Sequence, residues 1–320
     1  SLLFIILTLL SSKVLAGVTF VDSFDVSSQD TAPMGLAFNT DGTKMFVLGV
    51  TGDDVNVYTL STGFDLTSTV TFVNSYDLSG GLTDWATPTG LAFNSDGTKM
   101  FIAEFSTKDL ILEYTLSTGF DLFSTVNFVG SYDAGDQEDQ IYDVKFNSDG
   151  TKMFVLGQRG DDVNEYTLST GFDLSSTVTF VDSFDVSSQE TSSNGLAFNT
   201  DGTKMFVMGI NGDDVNEYTL TTGFDVSTAS FVDSFSVSSQ ESVPRGLAFN
   251  TDGTKMFVVG SSGDVHEYTL STGFEITGPT LSSSSPSDGA TGVGADDNIV
   301  LTFSEAVDAE SGNIVIKKSS

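Results

Sequence analysis

Gly35-Leu36-Ala37-Phe38-Asn39-Thr40-Asp41-Gly42-Thr43-Lys44-Met45-Phe46-Val47 decides how this chain folds, because nearly the same stretch returns at residues 90–102, 143–155, 195–207 and 246–258. The lysines mark the period: Lys44, Lys99, Lys152, Lys204 and Lys255 are 55, 53, 52 and 51 residues apart, a length that fits one four-stranded propeller blade and not a helical repeat. Within one unit, residues 35–38 read as strand A and 44–49 as strand B. The Asp41-Gly42 pair between them is a hairpin signal, since Gly accepts the positive φ of a tight turn. Strand C is read at 55–60, with copies at 163–168, 215–220 and 265–270. Strand D is read at 71–78, with relatives at 127–134, 179–186 and 230–237.

Counting the pieces predicts the topology. A–B–C sets occur five times, but the last set has no strand D after it. Residues 19–26, Thr-Phe-Val-Asp-Ser-Phe-Asp-Val, stand alone before the first set and match 179–186 residue for residue. A strand D missing at one end and supplied at the other predicts a ring of five blades in which residues 18–26 complete the fifth. Closure also removes the unpaired edges and bare apolar faces that an open row of blades would carry. The expected fold is all-β, a five-bladed β-propeller closed by its N-terminal strand over residues 17–277.

Two further segments flank it. Residues 1–16 combine an apolar run, Leu2 to Leu10, with a small-residue pattern at Val14 and Ala16, and read as a signal peptide cleaved before Gly17. The run is shorter than the roughly 20 residues a membrane span needs. At Gly278-Pro279 the composition changes to Ser, Gly and Asp.

Phe-Asn-x-Asp-Gly-Thr-Lys-Met-Phe-Val followed by a Val-x-x-Tyr-Thr-Leu-Ser-Thr strand resembles the secreted bacterial propeller repeats related to YVTN and WD-type families, over about residues 18–277. Such propellers include binding proteins, adhesins and some enzymes, so the resemblance implies blade structure and leaves activity open. Residues 285–293, Ser-Pro-Ser-Asp-Gly-Ala-Thr-Gly-Val, with 301–307, Leu-Thr-Phe-Ser-Glu-Ala-Val, resemble the opening of a bacterial Ig-like domain of S-layer and surface proteins. Residues 278–320 are too few for a sandwich of about 100 residues, so they read as a partial module of a longer multidomain chain. The resemblance implies a secreted or cell-surface protein.

Composition narrows function. With 12 basic against 44 acidic residues the net charge is −32, which repels nucleic acid and anionic membrane and leaves divalent cations, basic proteins and neutral glycans as partners. The same charge also serves solubility. There is no cysteine, one histidine, His266, and one tryptophan, Trp85, so thiolate chemistry and His-pair metal sites are ruled out.

In a propeller the D–A and B–C loops share one face. The D–A loops carry Asp30, Asp136-Gln137-Glu138-Asp139, Glu190 and Glu241. The B–C loops carry Asp53-Asp54, Asp161-Asp162, Asp213-Asp214 and Asp264. A carboxylate ring of these B–C aspartates would offer oxygen ligands to calcium. The competing reading is turn chemistry plus solvation, and blade two, with Ser106-Thr107-Lys108-Asp109, breaks the symmetry a metal ring needs. Phe64, Phe120, Phe172, Phe224 and Phe274 recur in the C–D segments as stacking surfaces for glycans or as plugs between blades. Residues present in one unit only are better ligand candidates: Trp85, Arg159, Arg245 and His266.

No nucleophile–base–orienter set is evident, so the expectation is a non-enzymatic binding or adhesion scaffold for a glycan, a protein or a divalent cation. The alternatives are a hydrolase or lyase using pore carboxylates, and a purely structural spacer.

Overall fold

A computed structural model describes residues 17–81, 87–105, 108–277, 281–287 and 300–303, together with two-residue strands at 5–6 and 317–318 that pair with each other. The remainder of the predicted leader lies outside the described residues.

Five four-stranded antiparallel sheets form the blades. Blade 1 holds Pro33–Phe38, Lys44–Gly49, Asp54–Leu60 and Val70–Asp77 as strands A to D. Blade 2 holds Thr87–Phe93, Lys99–Phe105, Leu110–Leu116 and Val126–Asp133. Ile141–Phe146, Lys152–Gly157, Asp162–Leu168 and Val178–Asp185 make blade 3. Ser193–Phe198, Lys204–Gly209, Asp214–Leu220 and Ala229–Ser236 make blade 4. Blade 5 takes Pro244–Phe249, Lys255–Gly260 and Asp264–Leu270, and its strand D is the N-terminal Val18–Asp25. Phe20 lies opposite Tyr268 and Phe24 opposite Val265, so the two ends of the ring meet as the count of strands predicts.

Burial explains why each strand reads as it does. Strands B and C are apolar almost throughout because both faces of each sheet are covered by neighbouring blades. Strand D is the outer edge and alternates with water. Its ladder carries a bulge in every blade, at Val21, Val73, Val129, Val181 and Val232, which interrupts the regular edge that another chain could extend.

Adjacent blades are joined by a repeated contact. The C–D phenylalanine sits against the last residue of its own strand A and a strand-B phenylalanine of the preceding blade, as in Phe172 with Phe146 and Phe101. These phenylalanines act as plugs between blades, each in a left-handed backbone conformation. The facing turn glycine must be Gly: at Gly202, φ is +71°, and a Cβ would lie 2.2 Å from the Phe224 ring.

Charged clasps run over the same seams. Lys44, Lys99, Lys152, Lys204 and Lys255 donate to the carbonyl oxygens of Phe120, Phe172, Phe224, Phe274 and Phe64, each in the following blade, at 2.5–2.8 Å. In four blades a buried strand-C glutamate holds the lysine with one oxygen and accepts the N–H two residues beyond that phenylalanine with the other. Glu113, for example, takes Lys99 at 2.6 Å and the Leu174 N–H at 2.8 Å. Blade 1 has Val57 there, so the seam between blades 1 and 2 lacks its carboxylate.

Beyond the propeller, Leu281–Ser285 pairs antiparallel with Val300–Phe303.

Candidate functional site

The five A strands surround the central channel, and each carries a bulge near its D–A end. The extra residues are Met34, Thr89, Tyr142, Asn194 and Arg245. Bulges re-aim a side chain out of the regular ladder, and here one is re-aimed per blade. Thr89 is buried and donates to the carbonyls of Ala103 and Ile141, both at 3.1 Å. Buried Asn194 donates to the Pro244 carbonyl at 3.2 Å and accepts from the Gln158 amide at 3.1 Å. Tyr142 and Arg245 are half-buried. The Tyr142 ring lies nearly parallel to Phe105 at 18°, with centroids 6.4 Å apart. Burial pushes its phenol up, and the guanidinium of Arg245 opposes that shift.

Deeper in the channel, blade 3 departs from the repeat twice. Asp143 stands where the other blades have Gly35, Gly90, Gly195 and Gly246, and Lys145 stands where they have Ala37, Ala92, Ala197 and Ala248. The two side chains pair at 2.6 Å. Asp143 also accepts the Leu196 N–H of blade 4 at 2.9 Å, and Lys145 donates to the Leu91 carbonyl of blade 2 at 3.3 Å. The pair is thus a bolt between the inner strands of three blades. Desolvation drives the Asp143 carboxyl up and the Lys145 ammonium draws it back down. The near-identity of 143–155 to the other units hid these two substitutions; comparing the copies column by column would have exposed them.

The acidic turns do meet on one face, and the structure shows what they do there. Asp30, Glu138, Glu190 and Glu241 are buried, and each caps the B–C turn of its own blade. Asp30 accepts the Thr51 and Gly52 N–H groups at 2.9 and 3.2 Å, and Glu241 accepts that of Ser262 at 3.0 Å. Asp53, Asp161 and Asp213 have positive φ of 48°, 50° and 48°, and their carbonyls receive the N–H groups of Leu78, Val186 and Val237, all at 2.8 Å. Asp54, Asp162 and Asp214 accept from Asn56, Asn164 and Asn216 at 2.7–2.9 Å. Asp264 follows Gly263, which takes the positive φ in blade 5. These contacts are the turn chemistry weighed above against calcium. Among the described residues no three His, Asp or Glu side chains are grouped as metal ligands.

Among the described residues the unit-specific candidates are not gathered into one place. Arg159 pairs with Asp139 at the exposed B–C turn of blade 3. His266 is buried in strand C of blade 5, its Nε2 3.3 Å from Ser262 Oγ and 4.0 Å from Glu241, and burial lowers its pKa. Glu241 bonds Ser262 Oγ directly at 2.6 Å, whereas a catalytic triad would place the acid on Nδ1 of the histidine. Trp85 lies outside the described residues. Of the three that are described, Arg245 alone belongs to the bulge ring at the channel.

Comparisons with known proteins follow this division. Residues 275–320 match the family model described as bacterial Ig-like domain. No curated protein matches the chain. Among solved structures, a functionally unknown protein from Desulfotomaculum acetoxidans is similar at 11% identity, with 71% of this chain and 62% of that one covered and a TM-score of 0.44. The β-propeller domain of Cps50 (Swd1) from Myceliophteria thermophila gives 10%, 79%, 99% and 0.47 for the same quantities. A putative 6-phosphogluconolactonase from Bacteroides uniformis gives 14%, 76%, 67% and 0.44. The chain therefore spans less than two thirds of the Desulfotomaculum protein's length. No helix among the described residues is long and apolar enough to cross a membrane. This chain is an all-β protein in which a five-bladed β-propeller closed by its N-terminal strand leads into a segment of the bacterial Ig-like family.

Proposed function

We propose that the chain is a non-catalytic binding module of a secreted or surface-attached bacterial protein, and that it holds an extracellular glycan at the D–A end of the channel. One observation carries the reading. In a chain copied five times, the inner-strand bulge bears a different residue in each blade, and two of them, Tyr142 and Arg245, are only half-buried. Tyr142 beside Phe105 supplies a ring face for a sugar, and the Arg245 guanidinium supplies fixed donors for its hydroxyls. The strongly acidic surface disfavours polyanions and is compatible with a neutral polysaccharide.

A hydrolase built on pore carboxylates is less well supported. Asp143 is a channel carboxylate, but its oxygens are engaged by Lys145 and by the N–H groups of Val144 and Leu196, an arrangement that ties it to the fold. The Ig-like match at 275–320 supports a surface setting.

The test is a glycan array probed with the chain and with the Tyr142→Ala/Arg245→Ala double variant, alongside calorimetry with Ca²⁺. Retention of neutral glycans by the parent and at least tenfold weaker retention by the variant are expected. Equal retention by both would refute the site. Calcium heat without glycan retention would favour the acidic turns instead.

A further inference from the structure

The opposite, A–B end of the channel opens into a cavity of about 370 Å³, lined by the repeated alanines and the half-buried Phe93, Phe146, Phe198 and Phe249, with Leu36, Leu91 and Leu247 of the inner strands behind them. Its rim is made of A–B turn residues, Ser148, Asn199, Thr200, Asn250 and Thr251. Several of these turns are tied to one another: Thr200 Oγ1 donates to the Thr251 carbonyl at 3.3 Å, and Thr251 Oγ1 to that of Thr40 at 3.2 Å. The rim is therefore a preformed polar ring, and the walls below it are apolar.

Lys145 is the one charged residue in this lining. Its ammonium has three donors, of which Asp143 and the Leu91 carbonyl take two, so one remains for a guest. Its charge is already balanced by Asp143, whose side chain is 6% exposed. An incoming carboxylate would meet that balanced pair and gain little, whereas a neutral carbonyl oxygen would gain a charge-assisted hydrogen bond at no cost in repulsion.

We propose that this funnel binds a small neutral N-acylated sugar: the acyl methyl packs among the alanine and phenyl walls, the amide carbonyl accepts from Lys145, and the sugar hydroxyls meet the Ser, Thr and Asn rim. The volume lies within the usual range of small-ligand sites, roughly 300–1,000 Å³. This site is at the far end of the channel from Tyr142 and Arg245, so each can fail without the other.

Ligand-observed NMR with N-acetylglucosamine, glucose and acetate as probes tests it. N-acetylglucosamine should bind at least tenfold more tightly than glucose or acetate. The Asp143→Gly/Lys145→Ala double variant restores the residues of the other four blades, so it should fold, and its affinity for N-acetylglucosamine should fall at least tenfold. Ala248→Leu narrows the funnel while leaving the bolt in place, and should weaken binding at least fivefold. Absence of binding by the parent chain, equal binding of glucose, stronger binding of acetate, or unchanged affinity in both variants would each overturn the proposal.

Discussion

Replacing Glu113 by Val copies into the seam between blades 2 and 3 the arrangement that Val57 already gives the seam before it, and it measures what one clasp contributes. Glu113 is buried, with one oxygen 2.6 Å from the Lys99 ammonium and the other 2.8 Å from the Leu174 N–H. Removing the carboxylate orphans that N–H, at a cost of about 1–3 kcal/mol for a buried unsatisfied group. Lys99 is a quarter exposed and keeps the Phe172 carbonyl, so the lost ion pair counts for about 1 kcal/mol after solvent screening. Burying the valine methyls returns about 1 kcal/mol. The expected net loss is about 2 kcal/mol, or roughly 4–8 °C in melting temperature for a domain of this size. Urea denaturation followed by circular dichroism at neutral pH reads it directly. The reverse change, Val57→Glu, offers Lys44 and the Leu122 N–H a partner. It should leave stability within about 1 kcal/mol of the parent, because burying the carboxylate offsets the bonds it forms. A loss below about 0.5 kcal/mol for Glu113→Val would refute the view that these carboxylates hold the blades together.

Three further outcomes follow from the geometry. Removing residues 17–25 strips strand D from blade 5; the shortened chain should lose its single cooperative melt and self-associate in size-exclusion chromatography, and a monomer with an unchanged melting temperature would contradict ring closure. Gly202→Ala should cost more than about 2 kcal/mol by chemical denaturation, because an L-residue at φ +71° is strained and its Cβ would meet the Phe224 ring. Burial and the adjacent Asp162 push the Glu138 carboxyl up to about 8, above its ordinary 4.5. The folded state therefore holds a proton the unfolded chain releases, so this stabilisation is complete below pH 4.5 and disappears as pH rises through about 8. Glu138→Gln mimics the protonated form, and thermal melts should show it more stable than the parent at pH 8.5 and indistinguishable at pH 4.5; equal pH dependence would count against the raised Glu138 carboxyl.

The blade number, the strand order and the closing strand were legible because each depends on local alternation and on a period written five times. Lys44 and its copies announced that period, yet their bonds were invisible. A lysine at the start of strand B reaches a carbonyl some 70 residues away, and nothing in a strand pattern reports which loop of the next blade lies over it. The acidic turns were legible as a face but not as caps, since Gly-Asp-Asp reads the same whether its neighbour carboxylate is solvated or, like Asp30 and Glu190, is buried on backbone N–H groups. Trp85 and the other singular residues drew attention by being rare, whereas rarity and placement are separate properties: Arg159 and His266 are rare and stand apart, in blades 3 and 5. The informative signal was disagreement within a column of the repeat. It is found at Asp143 and Lys145, at the bulge row ending in Arg245, and also at Val57. Val57 shows that disagreement alone does not make a site, because there it marks a missing clasp between blades. Disagreement gains functional meaning when its column lies on the inner strand, where five copies surround one channel and a change in any blade alters the surface that a single ligand would meet.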